Sequence, residues 1–238
     1  RHKTLGIDVD GTFAEYIKVP EKVLWRNNRH TLPPEIATLQ EPLGNAVYAT
    51  RNQRLEGKKV AVLGCGPIGL FTIAIAKAAG ADIIVGSDLS PYRLGLAGLM
   101  GAQELFNPAT DGDTARFLKD LSAGQGMDVV FEMSGAQAAI NAAFKGVKKG
   151  GSVILFGIPA GPVTLDLTRD LIFKNVNVEA VSGRRIFEDW YESRALLETG
   201  AVNLRPLISK QIPLTDVEEG IRLLRTGETC KIVLRPKG

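Results

Sequence analysis

The chain has 238 residues, 45% of them hydrophobic and 23% charged, an ordinary balance for a globular protein and enough for one large domain or one domain and part of another. The net charge of +3 is small and the lysines and arginines are scattered among acids; this argues against nucleic acid as a partner, and no apolar run reaches the length of a membrane span. Two cysteines, Cys65 and Cys230, are too few for a disulfide framework or a four-cysteine zinc site. No signal peptide is expected, and a reducing cytoplasm is the expected compartment.

Residues 1–46 differ in pattern from the remainder of the chain. Phe13-Ala14-Glu15-Tyr16-Ile17-Lys18-Val19 alternates like a half-buried strand, and Val23-Leu24-Trp25 reads as another. Pro33 and Pro34 open a helix that carries Glu35, Ala37 and Leu39. These strands have too few partners to close a sheet, so 1–46 is expected to be the remnant of a second domain. A helix is expected from about 41 to 55. Glu41 is the one acid in an otherwise uncharged run that ends at Arg51; it is either a solvated acid at a helix start or a functional group.

The most informative stretch is 59–88. Residues 59–63 read as a buried strand that runs into Gly64-Cys65-Gly66-Pro67-Ile68-Gly69, a G-x-G-x-x-G turn opening an alanine-rich helix over 68–79. A second strand, 83–85, is followed by Asp88. In this context each part suits a dinucleotide. Gly64 permits the tight turn, Gly66 lets a pyrophosphate approach the backbone, and Gly69 lets the helix pack close to the strand. The helix N-terminus offers N–H groups and partial positive charge to the phosphates. Asp88 can accept from the adenosine ribose hydroxyls.

Further strands are expected at 104–106, 128–131, 152–156 and 176–181, and helices at 91–100, 114–122, 136–146 and 167–173. Six short strands separated by helices imply a doubly wound parallel sheet over 47–181, in the order 3-2-1-4-5-6. Ligands then sit at the carboxyl ends of the strands, an edge that includes Ser134-Gly135, Phe156-Gly157-Ile158 and Val181-Ser182. Gly95 and Gly98 fall inside a helix, each costing about 1 kcal/mol relative to Ala; close packing against a neighbour is the simplest reading. Residues 182–238 read as a basic turn, a helix over 188–198 with Trp190 and Leu197 toward the core, and a strand at 206–208. A helix over 216–225 capped by Thr215 and Glu218 and a strand at 231–234 come next. This tail is expected to return to the domain of residues 1–46.

Several of these segments together resemble the zinc-dependent medium-chain alcohol dehydrogenases: Gly11-Thr12-Phe13-Ala14-Glu15-Tyr16, Leu39-Gln40-Glu41-Pro42-Leu43-Gly44-Asn45-Ala46-Val47, the glycine turn and Ser87-Asp88-Leu89-Ser90. Gly183-Arg184-Arg185-Ile186-Phe187-Glu188-Asp189-Trp190-Tyr191 is most similar to the branch acting on L-threonine. The resemblance implies a Rossmann domain beside an incomplete GroES-like β domain. It implies NAD-dependent hydride transfer from a secondary alcohol, L-threonine to 2-amino-3-ketobutyrate, with zinc polarising the substrate oxygen. The family's zinc ligands, a Cys and a His-Glu pair, and the four cysteines of its structural zinc belong to an N-terminal third that the matching segments do not cover, so no metal ligand is assigned here. Glu41 matches an acid beside the catalytic zinc.

The resemblance also assigns cofactor residues. Ile68 lies at the pyrophosphate, Asp88 and Arg93 at the adenosine, Phe156, Gly157 and Ile158 at the nicotinamide ribose and carboxamide, and Val181 and Ser182 near the nicotinamide. Arg184 is either a pyrophosphate contact or a solvated arginine at a domain junction. A homo-oligomer, dimer or tetramer, is implied through strand 176–181. Other alcohol or polyol dehydrogenases of the family remain open, as does an NAD-binding module that does no chemistry. A zinc-free quinone reductase is disfavoured by Glu41.

Overall fold

The computed structural model describes residues 3–236. Two helices, Pro34–Ala37 (α1) and Gln40–Thr50 (α2), precede the strand Lys59–Leu63 (β1). Strands and helices then alternate: Pro67–Ala78 (α3), Ile83–Ser87 (β2), Pro91–Met100 (α4), Glu104–Phe106 (β3), Thr114–Asp120 (α5), Met127–Glu132 (β4), Gln137–Gly146 (α6) and Val147–Leu155 (β5). Asn177–Ala180 (β6), Glu188–Glu198 (α7), Ile208–Pro213 (β7), Val217–Arg225 (α8) and Lys231–Arg235 (β8) complete the order.

The six-stranded sheet runs β3-β2-β1-β4-β5-β6, all parallel, as the alternation predicts. β1 lies inside it and is buried on both faces. Val60 and Val62 join the core that contains Leu43, Val47, Phe71 and Ile73 of α2 and α3. Ala61 and Leu63 join the opposite core, with Leu118, Ile140 and Phe144 of α5 and α6. This period-two division is what a strand covered by helices on both sides requires. At about 1.5–3 kcal/mol for each large apolar side chain fully buried, these two layers outweigh the propensity cost of the glycines in the loops.

The register sets the ligand edge. Leu63 of β1 lies opposite Ser87 of β2 and Glu132 of β4, so the chain turns after all three strands at one level. The order of strands reverses between β1 and β4, where a crevice opens.

Several expectations are corrected. Residues 13–19 form no strand: Phe13 is 69% and Tyr16 91% exposed. Glu21–Val23 is a 3-10 turn, and the 23–25 strand is absent. A strand without a partner has nothing to satisfy its backbone; before α1 only an isolated Leu5–Val9 bridge is paired among the described residues. α2 ends at Thr50, short of 55, because the polar run after it turns outward and Asn52 and Gln53 donate to the Glu179 carboxylate of β6 at 2.7 and 3.0 Å. Residues 167–173 form a π-helical turn followed by a 3-10 turn, ended by Asn175 at φ 50°. The 206–208 strand gives way to a 3-10 turn, with β7 starting at Ile208 and pairing in parallel with β8. α8 starts at Val217 and Thr215 does not cap it; its hydroxyl bonds the Asp216 side chain instead. In α7 the fully buried residues are Asp189 and Ser193; Leu197 is partly buried and packs against the core as expected, whereas Trp190 does not join it and its ring meets Phe187. Gly95 is exposed with no atom within 4 Å of where a Cβ would stand, and Gly98 makes only ordinary contact with Leu105, so close packing explains neither.

These environments predict opposite outcomes for two Gly→Ala changes. G69A would put a Cβ 2.0 Å from the Gly64 carbonyl oxygen and should cost more than about 2 kcal/mol. G95A meets nothing and should stabilise by about 0.5–1 kcal/mol. Urea denaturation midpoints of the two variants check both; a neutral G69A would contradict the packing described.

Candidate dinucleotide site

Each glycine of the turn has its own physical role. Gly64 has φ 103° and donates to the Ser87 carbonyl at 2.8 Å; a Cβ there would lie 2.9 Å from the Ser134 nitrogen. Gly69 lets the first turn of α3 sit against Gly64. Gly66 has nothing within 4 Å of its Cβ position, so a ligand can approach the backbone there. Gly66, Pro67 and Ile68 are partly exposed. No side chain caps the start of α3, whereas Ser90 caps α4 and Asp113 caps α5. The uncapped first-turn N–H groups suit an anion.

Asp88 anchors the turn. Its carboxylate accepts from the Cys65 N–H at 2.8 Å and the Ser90 N–H at 2.9 Å. Arg93 stands 3.8 Å away. A carboxylate offers about four lone-pair positions, so acceptor capacity remains for a diol. Asp88 and Arg93 line a cavity of about 480 Å³ with Gly64, Ser90, Pro108 and, from the far end of the chain, Gly227.

A second cavity, of about 660 Å³, lies where β4, β5 and β6 end. It is lined by Ser134, Phe156, Gly157, Ile158, Val181 and Ser182 among others. Ser134 borders both cavities. The two walls meet closely: a Cβ at Gly157 would lie 2.0 Å from the Gly135 nitrogen. Beneath them is Glu132, fully buried. Its Oε1 accepts from the Ser134 N–H, the Ser134 hydroxyl and the Gly135 N–H at 2.9, 2.5 and 3.0 Å. Glu132 is the site residue that sequence reading missed. Its signal is an acid that closes the apolar run Val129-Val130-Phe131 just before Ser134-Gly135.

Glu41 and Arg184 are brought together, but with each other. Glu41 lies in the first turn of α2 and pairs with the Arg184 guanidinium, which sits over the Trp190 ring at 5.4 Å from its centroid. The alkyl chain of Arg184 lies across Gly44. Burial pushes Arg184 below the ordinary arginine value, and it remains a cation at neutral pH. Neither residue borders the two cavities described, although Gly183 borders the second.

The residues fit a dinucleotide: an open backbone at Gly66, an uncapped helix start and a carboxylate with spare acceptors lie at one strand edge, with Gly64 and Asp88 bordering the first cavity and Gly66 and Ile68 bordering neither. They do not fit a zinc ion. Among the described residues no three His, Cys, Asp or Glu side chains converge to hold a metal. Both cysteines are buried and free. Burial, and then the Asp88 charge, push the Cys65 thiol far up, and burial raises Cys230 to about 11; neither cysteine has two further ligand side chains beside it among the described residues.

The family model for zinc-binding dehydrogenases matches residues 67–199. The L-threonine 3-dehydrogenase of Bacillus velezensis is 44% identical over 235 residues, covering 98% of this chain and 67% of its own. Among solved structures, 2R,3R-butanediol dehydrogenase from Bacillus subtilis superposes with TM-score 0.89 at 32% identity, over 98% of this chain and 67% of that one. A Sinorhizobium meliloti protein solved bound to NADP superposes with TM-score 0.87 at 26% identity, over 98% and 68%. The chain spans about two thirds of the length of the curated relatives it matches. With its family match across 67–199 and this identity to a full-length relative, the chain belongs to the zinc-binding dehydrogenases.

Proposed function

We propose that this chain is the dinucleotide-binding part of an oxidoreductase that removes hydride from a secondary alcohol, and that the alcohol is L-threonine, giving 2-amino-3-ketobutyrate. The observation that carries the cofactor reading is the glycine turn, with Gly66 open and the Asp88 carboxylate bonded to the Cys65 N–H. The substrate reading rests on the 44% identity to a named L-threonine 3-dehydrogenase over 98% of the chain.

The bound nicotinamide supplies the hydride acceptor. The chain supplies its orientation. The uncapped start of α3 takes the pyrophosphate, with Ile68 beside it. Asp88 takes the adenosine ribose hydroxyls and Arg93 flanks them. Phe156, Gly157, Ile158, Val181 and Ser182 wall the cavity for the nicotinamide half. Glu41 and Arg184 form the junction between α2 and the turn before α7, at the side from which an alcohol would approach. We assign 47–181 to the cofactor unit and 1–46 with 182–238 to the part that joins it to the substrate side, a division supported by the Gln40 Nε2 bond to the Trp190 carbonyl at 3.0 Å and by Trp25 stacked on Phe187.

Asp88 favours NAD over NADP, because a 2′-phosphate would stand against its charge and Arg93 is the one cation paired with Asp88 among the described residues. Calorimetry should give NADP at least about tenfold weaker than NAD, with Asp88→Ala narrowing the gap; tighter NADP binding would reject this assignment. Zinc of the family's kind needs three protein ligands, and the described residues converge none. The 238-residue chain with L-threonine, NAD and added zinc should therefore bind cofactor without NADH production. Turnover at an ordinary enzyme rate would overturn that reading.

β6 ends the sheet, with Val178 exposed and Phe173 70% exposed before it. An apolar edge invites pairing, and we assign it to a second copy, giving a homo-oligomer. Light scattering at micromolar protein should exceed the monomer mass; a monomer alone would count against the assignment.

A further inference from the structure

Glu132 is a buried acid without a cation. It is fully buried, and no Lys, Arg or His side chain pairs with it among the described residues. All its partners donate. The Ser134 hydroxyl accepts from the Ala136 N–H at 3.1 Å, which turns its own proton toward Glu132 Oε1. Oε1 thus takes three donors, and Oε2 takes only the Gly135 N–H, at 3.1 Å. Three neutral donors hold the 134–135 turn on this buried carboxylate but leave its charge uncompensated by an opposite one, an arrangement that costs stability.

The position of that charge suggests its use. Oε2 lies 2.7 Å from where a Cβ on Gly157 would stand, and Gly157 is a wall of the second cavity. One residue of backbone therefore separates the carboxylate from the space on the side opposite Asp88. We infer that Glu132 acts electrostatically on a redox-active ring in this cavity, favouring the cationic oxidised nicotinamide over the neutral reduced one. The inference deepens the cofactor assignment and rests on it. The oxidised ring carries a positive charge that the reduced ring lacks, and the low-dielectric wall leaves a buried charge poorly screened. Hydride uptake removes the attraction, so the same carboxylate favours release of the reduced cofactor. Glu132 is a positioning residue for the loop and an electrostatic one for the ring; only the second role distinguishes the two redox states.

The test is calorimetric titration of the 238-residue chain and its Glu132→Gln variant with NAD, NADH and ADP-ribose. The ratio of NAD to NADH affinity cancels whatever the ligands share, including pyrophosphate contacts and loop geometry. It should fall about tenfold in the variant. An equal loss for all three ligands would assign Glu132 a purely structural role and overturn the inference. If neither NAD nor NADH bound the unmodified chain, the cofactor assignment itself would fail, a distinct outcome. Should Glu132→Gln not fold, the unmodified chain alone decides the matter. A planar neutral isostere of NAD, the benzamide adenine dinucleotide, should bind about tenfold more weakly than NAD, and equal affinity would overturn the inference.

Discussion

A side chain at position 69 would meet the Gly64 carbonyl oxygen at 2.0 Å, and the geometry of the whole crevice depends on that close approach. It lets α3 start directly above the end of β1, so the helix axis points its uncapped N-terminus at the crevice where the strand order reverses. It also seats Cys65 under the turn, buried between Gly86 and the Ser87 carbonyl, with its N–H free to reach Asp88. β2 is thereby tied to β1 through a side chain as well as through the ladder. Every ligand-facing loop is referenced to this one contact, because β1 carries β2 on one side and β4 on the other.

Two acids then shape the crevice from opposite ends. Asp88 pairs with Arg93 and accepts from the Cys65 and Ser90 N–H groups, which leaves acceptor positions for the hydroxyls assigned to it. Glu132, buried and surrounded by neutral donors, acts through charge at a distance. In the roles proposed for them, Asp88 meets the ligand directly, through its acceptors and its charge, and Glu132 meets it through charge alone, from behind a backbone wall. The Glu41–Arg184 pair belongs to neither end. It closes the seam between α2 and the turn leading to α7, with the Arg184 chain filling the space that Gly44 leaves.

The sheet was legible because its signals are local. The run Val60-Ala61-Val62-Leu63, the glycine turn and Asp88 lie within one βαβ unit, and period and turn chemistry identify them without tertiary knowledge. The failures share a cause. Residues 13–19 alternate like a strand, yet a strand is defined by its partner and this one has none among the described residues. The inward face of α7 carries Asp189, which is buried because it accepts from the Arg185 N–H and guanidinium at 2.5 and 2.9 Å, and Ser193, whose hydroxyl returns to the Asp189 carbonyl at 2.6 Å. Hydrophobicity alone points instead to Trp190. Glu132 was hidden for the same reason: an acid at a strand end reads as solvated until the loops that bury it are known. Gly227 reaches the first cavity from a turn far along the chain, and no periodicity could place it there.

The central claim is that one dinucleotide lies along the crevice, with its phosphates at Gly66 and its two halves in the two cavities. Hydrogen exchange of the 238-residue chain with and without NAD tests it most directly, since each backbone amide reports its own protection. Protection should rise together at 65–68, at 88–90 and at 156–158, with little change at 208–213. Protection confined to one end of the crevice, or absent from 65–68 while NAD is bound, would contradict the account.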